Sequence, residues 1–552
     1  MFLDFIIISE ETKLKMKILK ISLICLLVWS FDTFEMNGQG EIQVDDIKVF
    51  KDFEAKLKDF TKVDLIPVLP SFDLNSRSYQ YTISGRPIKL EYDKPSIRPL
   101  ALPPIKEPFV KKGMVRFGYG LPNVFLADLS YGIKKGSMLS GFSLEHFSAN
   151  HKNTPHQSFS TNKILLHMQN AFKNGLPYKA YADLNIDYYN LYAVDSYADT
   201  NKVFDDPKRR FTHWDLQFEI PSTPINQIFE GQAKVTYKFV HNNIESAYEH
   251  YLEVSGKPEW NSGNGFSLTF PLEASAGLSD IHAPVGMFKF APALVYDKPF
   301  FTFELGGNMG FANDYFIYPT GKISLNKIFS YFDIFAGVNQ HIQLNTAYYL
   351  VKENPFMRFA SNEANAAISK NYFAGVRGNI EGALFEFVAA YHQLTSLPLF
   401  GISPFDERQF DVIYDNGTDF SLQAELDYRI NENLSVNGRL ANHYYNMDNQ
   451  EKAWHKPAFE TNIGAKTSFF DRKLSLEGAF FFKSGIFYLD TETATAENLP
   501  VIFDFNAHAQ FNIFKNTYLF LTWNNITASK YNRWYQYPSY RTVLLGGFKV
   551  AF

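Results

Sequence analysis

The chain has 552 residues with Lys+Arg 53 against Asp+Glu 58, a formal net charge of -5, which argues against a dedicated nucleic-acid binder, since these carry a basic excess. Hydrophobic residues reach 46% and aromatics 17%, yet mean hydropathy is -0.20; apolar residues are therefore interleaved with polar ones, against the apolar runs of about 20 residues that helical membrane proteins need. A single Cys excludes a disulfide scaffold and a multi-cysteine zinc site, leaving a large soluble protein of two or more domains or a transmembrane β-barrel.

In chain order, Lys13, Lys15, Lys17 and Lys20 precede the short apolar stretch Ile21–Trp29. A basic segment and then an apolar core too short to span a bilayer is the pattern of a secretory signal peptide. The stretch from Met16 reads as a complete signal by itself, and cleavage is expected near Gly38–Gly40, so residues 1–40 are assigned to a leader. The competing reading is a buried N-terminal helix. Cys25 lies inside the apolar core and not at its end, which speaks against a lipoprotein anchor.

Residues 41–112 form an N-terminal segment, periplasmic or inserted in a lumen. Its Pro-rich stretches Ile66–Pro70 and Leu100–Ile105 suggest extended chain. Ile47, Phe50, Phe53, Leu57 and Phe60 fall at helical spacing, so a short amphipathic helix is expected there, or else a linker with accidental periodicity.

From Gly113 onward the chain reads in twos. Phe420, Leu422, Ala424, Leu426, Tyr428 and Ile430 alternate with Ser421, Gln423, Glu425, Asp427 and Arg429. Such alternation marks a strand with one apolar and one polar side. Seven strands are predicted at 420–430, 434–445, 461–469, 474–484, 501–513, 518–526 and 540–552. Short turns such as Asn431–Asn433, Phe470–Arg472 and Lys515-Asn516 alternate with long connections such as Asn446–Pro457 and Leu489–Pro500, as in barrels with one periplasmic and one external rim. Strands of about 10–13 residues suit a tilted bilayer crossing better than a soluble sandwich. The fold class predicted is all-β: a transmembrane antiparallel outer-membrane β-barrel over 113–552 with about 22 strands, in a range of roughly 16–24. The stretches 194–230 and 352–370 resist parsing.

In the last strand Phe548, Val550 and Phe552 share the lipid-facing register, and the chain ends on an aromatic. Outer-membrane barrels commonly end so, and the barrel-assembly machinery reads that strand. By the same alternation Glu425, Asp427, Arg429, Arg439, Lys466, Glu477, Asp504 and Lys549 face the lumen. Their mixed charge implies a solvated wall, or a bed for a packed segment, without strong ion selectivity. The aromatic loop of Trp534, Tyr535 and Tyr537 is expected on the outside, as a surface for carbohydrate or a partner, or as an interfacial belt element.

The segment Tyr518–Tyr531, with Trp534–Pro538 and Arg541-Thr542 before the final strand, resembles the C-terminal end of TonB-dependent receptors. Val49–Leu57, Ile66–Pro70 and Tyr79–Ile83 resemble a Bacteroidota group of TonB-receptor-like barrels that lack the usual plug. The resemblance implies an outer-membrane barrel in transport or a transport-associated complex, with both termini periplasmic. The segment 41–112 is shorter than a plug domain, which puts energy-coupled import in question. Implied partners are outer-membrane lipid, the assembly machinery, and a surface lipoprotein or periplasmic protein; no nucleic acid and no cofactor are expected.

No Gly-x-Ser-x-Gly, His-Glu-x-x-His or P-loop motif occurs, so no enzyme is expected. His443 and His508 share the lumen face, which more often means polar wall than a metal site. The functional alternatives are a receptor-like barrel with its lumen closed by the N-terminal segment or a partner, a passive porin, a structural or assembly partner without transport, and a barrel enzyme.

Overall fold

The computed structural model describes residues 111–552 except 152–153, 155, 194–206, 225–228, 329–330, 362 and 492. The leader expected over 1–40 and the helix expected between Ile47 and Phe60 lie outside the described residues.

Strands run from Gly113–Leu121 to Val543–Ala551 in one antiparallel sheet. The wall makes 22 crossings, because two of them are broken into paired halves: Phe266–Thr269 with Leu272–Ser279, and Val285–Phe290 with Ala293–Lys298. The breaks fall at Pro271 and Pro292, residues without a backbone donor, and lie side by side, with the Ala291 amide donating to the Pro271 carbonyl at 2.9 Å. The first and last strands pair from Met114↔Ala551 to Leu121↔Leu544, which closes the barrel. At that closure a Cβ on Gly547 would collide with the Phe117 carbonyl, so only glycine permits the approach.

The alternation in sequence becomes two surfaces. Phe420, Leu426, Ile463, Phe503, Phe505, Leu519, Leu521 and Phe548 point outward and are exposed. Large exposed apolar side chains all around a closed sheet are unfavourable in water and suit lipid. Between them, inward residues such as Asp504, Asn506, His508 and Gln510 are buried polar groups of the lumen side.

The seven predicted strands correspond to Phe410–Arg429, Leu434–Met447, Phe459–Phe469, Leu474–Ser484, Ile502–Phe514, Thr517–Asn524 and Val543–Ala551. The turns at one rim are short; Phe470, Asp471 and Arg472 take φ of 53°, 54° and 65° to make one of them. The opposite rim carries the long connections, among them 345–365, 448–458 and 525–542. These are called here the turn rim and the loop rim. The unparsed stretches hold the strand Lys208–Pro224 in the first and, in the second, the 3-10 turn Phe359–Ser361 and the start of the strand Ala366–Ile380; the short helix Ala347–Glu353 ends where the second stretch begins.

A charge on the outward face separates this fold from a soluble one. Leu305, midway along Phe301–Phe311, is 55% exposed; Leu305→Arg is expected to lower the stability of vesicle-embedded protein by about 2–4 kcal/mol, while Gln423→Arg on the lumen face stays within about 0.5 kcal/mol. Denaturant titration in lipid vesicles reads the difference, and equal effects would contradict the assignment of faces.

Candidate functional site

The site lies at the loop rim, where the connections do not stand away from the barrel but fold into its mouth. The helix Ala347–Glu353 buries Ala347, Tyr348, Leu350 and Val351, and the chain after it buries Phe356, Met357 and Phe359. These pack with Tyr192, Phe211, Phe400, Phe410, Trp534 and Tyr537 in one cluster. Phe211 and Phe400 stand on distant parts of the wall, so the cluster bridges the opening. Burying a large apolar side chain contributes roughly 1.5–3 kcal/mol, and this many together make the bridge a stable part of the structure.

Two carboxylates fix the infolded connection. Glu249 accepts the Ala347 and Tyr348 amides at 2.9 and 3.2 Å, at the start of the helix where backbone donors lack partners. Glu245 accepts the Phe359 and Ala360 amides at 2.7 and 2.5 Å. Arg209, fully buried, donates to the Pro355 carbonyl at 3.1 Å and lies 3.6 Å from Glu245. Arg358 makes a two-point pair with Asp411 at 2.8 and 3.0 Å, and Lys456 reaches Glu353 at 2.5 Å.

His282, in the connection after Leu272–Ser279, lies 3.2 Å from Glu249. Burial alone would lower its pKa, but the hydrogen bond and charge of Glu249 outweigh it and raise it. His455 behaves oppositely: burial pushes its pKa down to about 3. Its Nδ1 donates to the Phe400 carbonyl at 2.8 Å and its Nε2 accepts the Tyr535 amide at 3.4 Å, so the ring is neutral and locks two connections together.

The expected aromatic loop is here, but turned inward. Trp534 and Tyr537 are 0% and 1% exposed; Tyr537 stacks on Phe356 at 3.6 Å and donates to the Arg408 carbonyl. Tyr535 is half-buried and stacks on Tyr488 at 4.1 Å. Sequence alternation could not show this, because it ends where the strand ends.

The expected lumen residues are spread along the wall. Arg439 pairs with Glu425 at 2.7 Å and Lys466 with Glu477 at 2.6 Å. Asp427 and Arg429 are exposed near the turn rim and make no ion pair among the described residues. Asp504 is buried and accepts the Tyr531 hydroxyl at 2.6 Å, while Lys549 is buried with its ammonium 5.8 Å from the Tyr518 ring centre. Phe548 and Phe552 are exposed on the outer face, with Val550 between them half-buried. Further pairs join Arg116 to Asp128, Lys289 to Glu273, Arg377 to Asp333 and Lys483 to Glu460. Each of these six pairs, Arg439–Glu425 and Lys466–Glu477 included, sits directly across two adjacent strands, so that much of the wall's charge is matched by the neighbouring strand.

His443 and His508 do not meet. His443 pairs with Asp419 at 2.8 Å and His508 with Thr522 at 2.8 Å, and no metal-binding group of three or more His, Cys, Asp or Glu occurs among the described residues. Ser421, His392 and Asn371 form a chain that sequence reading missed: Ser421 Oγ lies 2.9 Å from His392 Nε2, and His392 Nδ1 lies 2.7 Å from Asn371 Oδ1. A nucleophile, base and orienting group take this order in serine hydrolases. Ser421 is 0% exposed, however, and no substrate carbonyl reaches it; the chain braces three neighbouring strands.

With this geometry in place, comparison with solved structures finds the same architecture. The pyoverdine outer-membrane receptor FpvA of Pseudomonas aeruginosa superposes with a TM-score of 0.58 at 11% identity, over 80% of this chain and 78% of that one. The FrpB iron transporter of Neisseria meningitidis gives 0.60 at 9% identity, over 80% and 81%. The copper transporter OprC gives 0.57 at 9%, over 80% and 82%. The fold is that of outer-membrane receptor barrels. No protein-family model matches the chain, and no curated protein matches it.

The Glu249 clamp generates two expectations. Glu249→Ala leaves the Ala347 and Tyr348 amides buried without an acceptor, at about 1–3 kcal/mol, and is expected to open the Lys352 bond to trypsin and to speed amide exchange over 347–351. Unchanged protection would show that the clamp holds nothing. For His282 the folded pKa is raised, so its contribution is complete below the ordinary value of about 6.5 and is lost as pH rises through the folded value. Amide exchange over 347–351, corrected for intrinsic rate, should therefore accelerate on raising pH from about 6 to 8, and His282→Gln should remove that dependence.

Proposed function

We propose that this protein is an outer-membrane barrel of the TonB-receptor-like kind, working in transport or in a transport-associated complex, with its loop rim facing outward and both chain termini periplasmic. The observation that carries the reading is the bridged mouth. An aqueous lumen of 22 strands is wide, yet its outer opening is crossed by packed aromatic side chains. A barrel built to pass solutes freely does not gain from such a closure; one that admits a ligand only after a partner or the ligand rearranges its loops does. Likeness to receptors and transporters of iron, copper and siderophore complexes supports the reading at the level of fold. The cross-strand ion pairs agree with it, since they place opposite charges side by side and do not build the ring of one charge that selects ions. The segment 41–112 adds a second closure at the periplasmic side in this proposal.

Planar-bilayer recording tests it. The intact mature chain should be quiet or conduct in rare, brief openings. Replacing 346–364 by a short Gly-Ser linker should raise steady conductance several-fold, and removing 41–112 should add to it. Large steady currents from the intact chain would instead establish a passive porin; silence after both deletions would leave a structural barrel without transport.

A further inference from the structure

Two neighbouring strands of the wall part company at the loop rim. Tyr315–Ile328 and Phe332–Leu344 pair from Ile328↔Phe332 to Gly321↔Val338, and there their ladder stops. Both strands continue. Tyr315–Thr320 stays paired with Phe301–Phe311 on its other side, and Asn339–Leu344 with Ala366–Ile380. The wall is therefore unzipped between two stretches that both keep strand conformation.

Side-chain burial shows where the inner stretch goes. Ile334, Gln340, Ile342 and Leu344 share one face of their strand. Ile334 is 48% exposed on the outer surface, whereas the other three are buried. Ile342 and Leu344 pack with Tyr251, Met287, Ala312 and Ala366. Tyr251 and Met287 lie on inward faces, since their neighbours Leu252 and Phe288 are the exposed ones. The end of the hairpin Phe332–Leu344/Ala366–Ile380 is thus tucked behind its neighbours, inside the wall. Outside, Tyr315 and Ile317 are 89% and 85% exposed, well above ordinary outward residues, as expected where a flanking strand is missing.

Three side-chain hydrogen bonds span the overlap where a ladder would run. Asn308 Nδ2 donates to the Gln340 carbonyl at 3.1 Å. Asn313 Nδ2 donates to the Ala366 carbonyl at 3.0 Å, and its Oδ1 accepts the Ala366 amide at 2.9 Å. On the lumen side of the tucked end lies a cavity of about 240 Å³, whose lining includes His341, Gln343, Tyr349, Ile368 and Lys456. Ile368 and Tyr349 also pack against the apolar contact of the overlap, so the cavity adjoins it.

We propose that this overlap is a lateral gate: the hairpin end slides from behind Tyr315–Ile328 and opens a path between the lumen cavity and the outer surface. The path is lined by Met287, Ala312, Ile342 and Leu344, and it ends at the polar His341, Gln343 and Lys456. It therefore fits an amphiphile with an acyl-like tail. The proposal takes its purpose from the transport reading, but the distance measurement below tests the gate even in a barrel that moves no solute.

The test is pulsed electron-spin distance measurement on the full mature chain in lipid nanodiscs, with Cys25→Ser as background should the leader persist. Labels go on Tyr315→Cys and Glu363→Cys. A short and a long distance are expected, and Asn308→Ala/Asn313→Ala should raise the long population about fivefold for each kcal/mol of hydrogen bonding removed. The same double substitution should increase cross-linking of a diazirine-bearing palmitic acid to 339–344. Folding of each variant is checked by heat-modifiable gel migration; if the double variant does not fold, Asn313→Ala alone is read in the same way. One narrow distance, unmoved by the substitutions, overturns the gate. A moving distance without any cross-link overturns the amphiphile.

Discussion

Hydrocarbon offers no partner for a backbone amide or carbonyl, so a sheet that crosses it must have no edge. Everything else in this molecule follows from meeting that demand with β-strands. It requires the first strand, Gly113–Leu121, to find the last, Val543–Ala551, across the whole length of the chain. It requires apolar side chains outside, and it forces the polar ones inward, where the lumen must accommodate them. It even decides where irregularity is tolerated: the proline breaks at Pro271 and Pro292 sit next to each other and share a hydrogen bond, and the unzipped stretch lies at the loop rim.

The loop rim escapes the constraint and carries the individuality. There the chain packs as soluble proteins do, with aromatic side chains interdigitated and carboxylates capping free amides. Glu245 and Glu249 come from one hairpin and hold two parts of the same infolded connection. Because the helix Ala347–Glu353 is too short to be stable by itself, its existence depends on those contacts. The mouth and the wall are thus coupled through these side chains and through one backbone bridge, Met357 beside Phe410, whose amide donates to the Phe356 carbonyl at 3.1 Å.

Much of the wall was legible in the sequence, because a residue that faces lipid and a residue that faces water differ in kind and alternate without exception along Phe420–Ile430 or Phe503–Phe511. The strand Phe410–Arg429 shows where legibility ends. Its second half was read correctly, but Phe410 and Val412 face the packed mouth and Ile413 packs under the connection carrying Trp454. Buried on both sides, that half loses its alternation and was not predicted. The same cause hid the arrangement of 345–365 and turned Trp534 and Tyr537 from an expected outer surface into core. Charge at Glu425, Arg439, Lys466 and Glu477 was placed by periodicity; that these residues pair across strands depends on register, which one-strand patterns do not contain.

The opposed ion pairs along the lumen have a consequence for what the pore can tell apart. Where a positive side chain is matched by a negative one on the next strand, as in the six pairs described, their fields are short-ranged and cancel within about a Debye length, some 8–10 Å in physiological salt. Along those stretches the wall favours neither sign of charge. In the transport reading proposed above, discrimination would then fall to the entrance, by size and shape against a few aromatic rings, before those paired charges are felt.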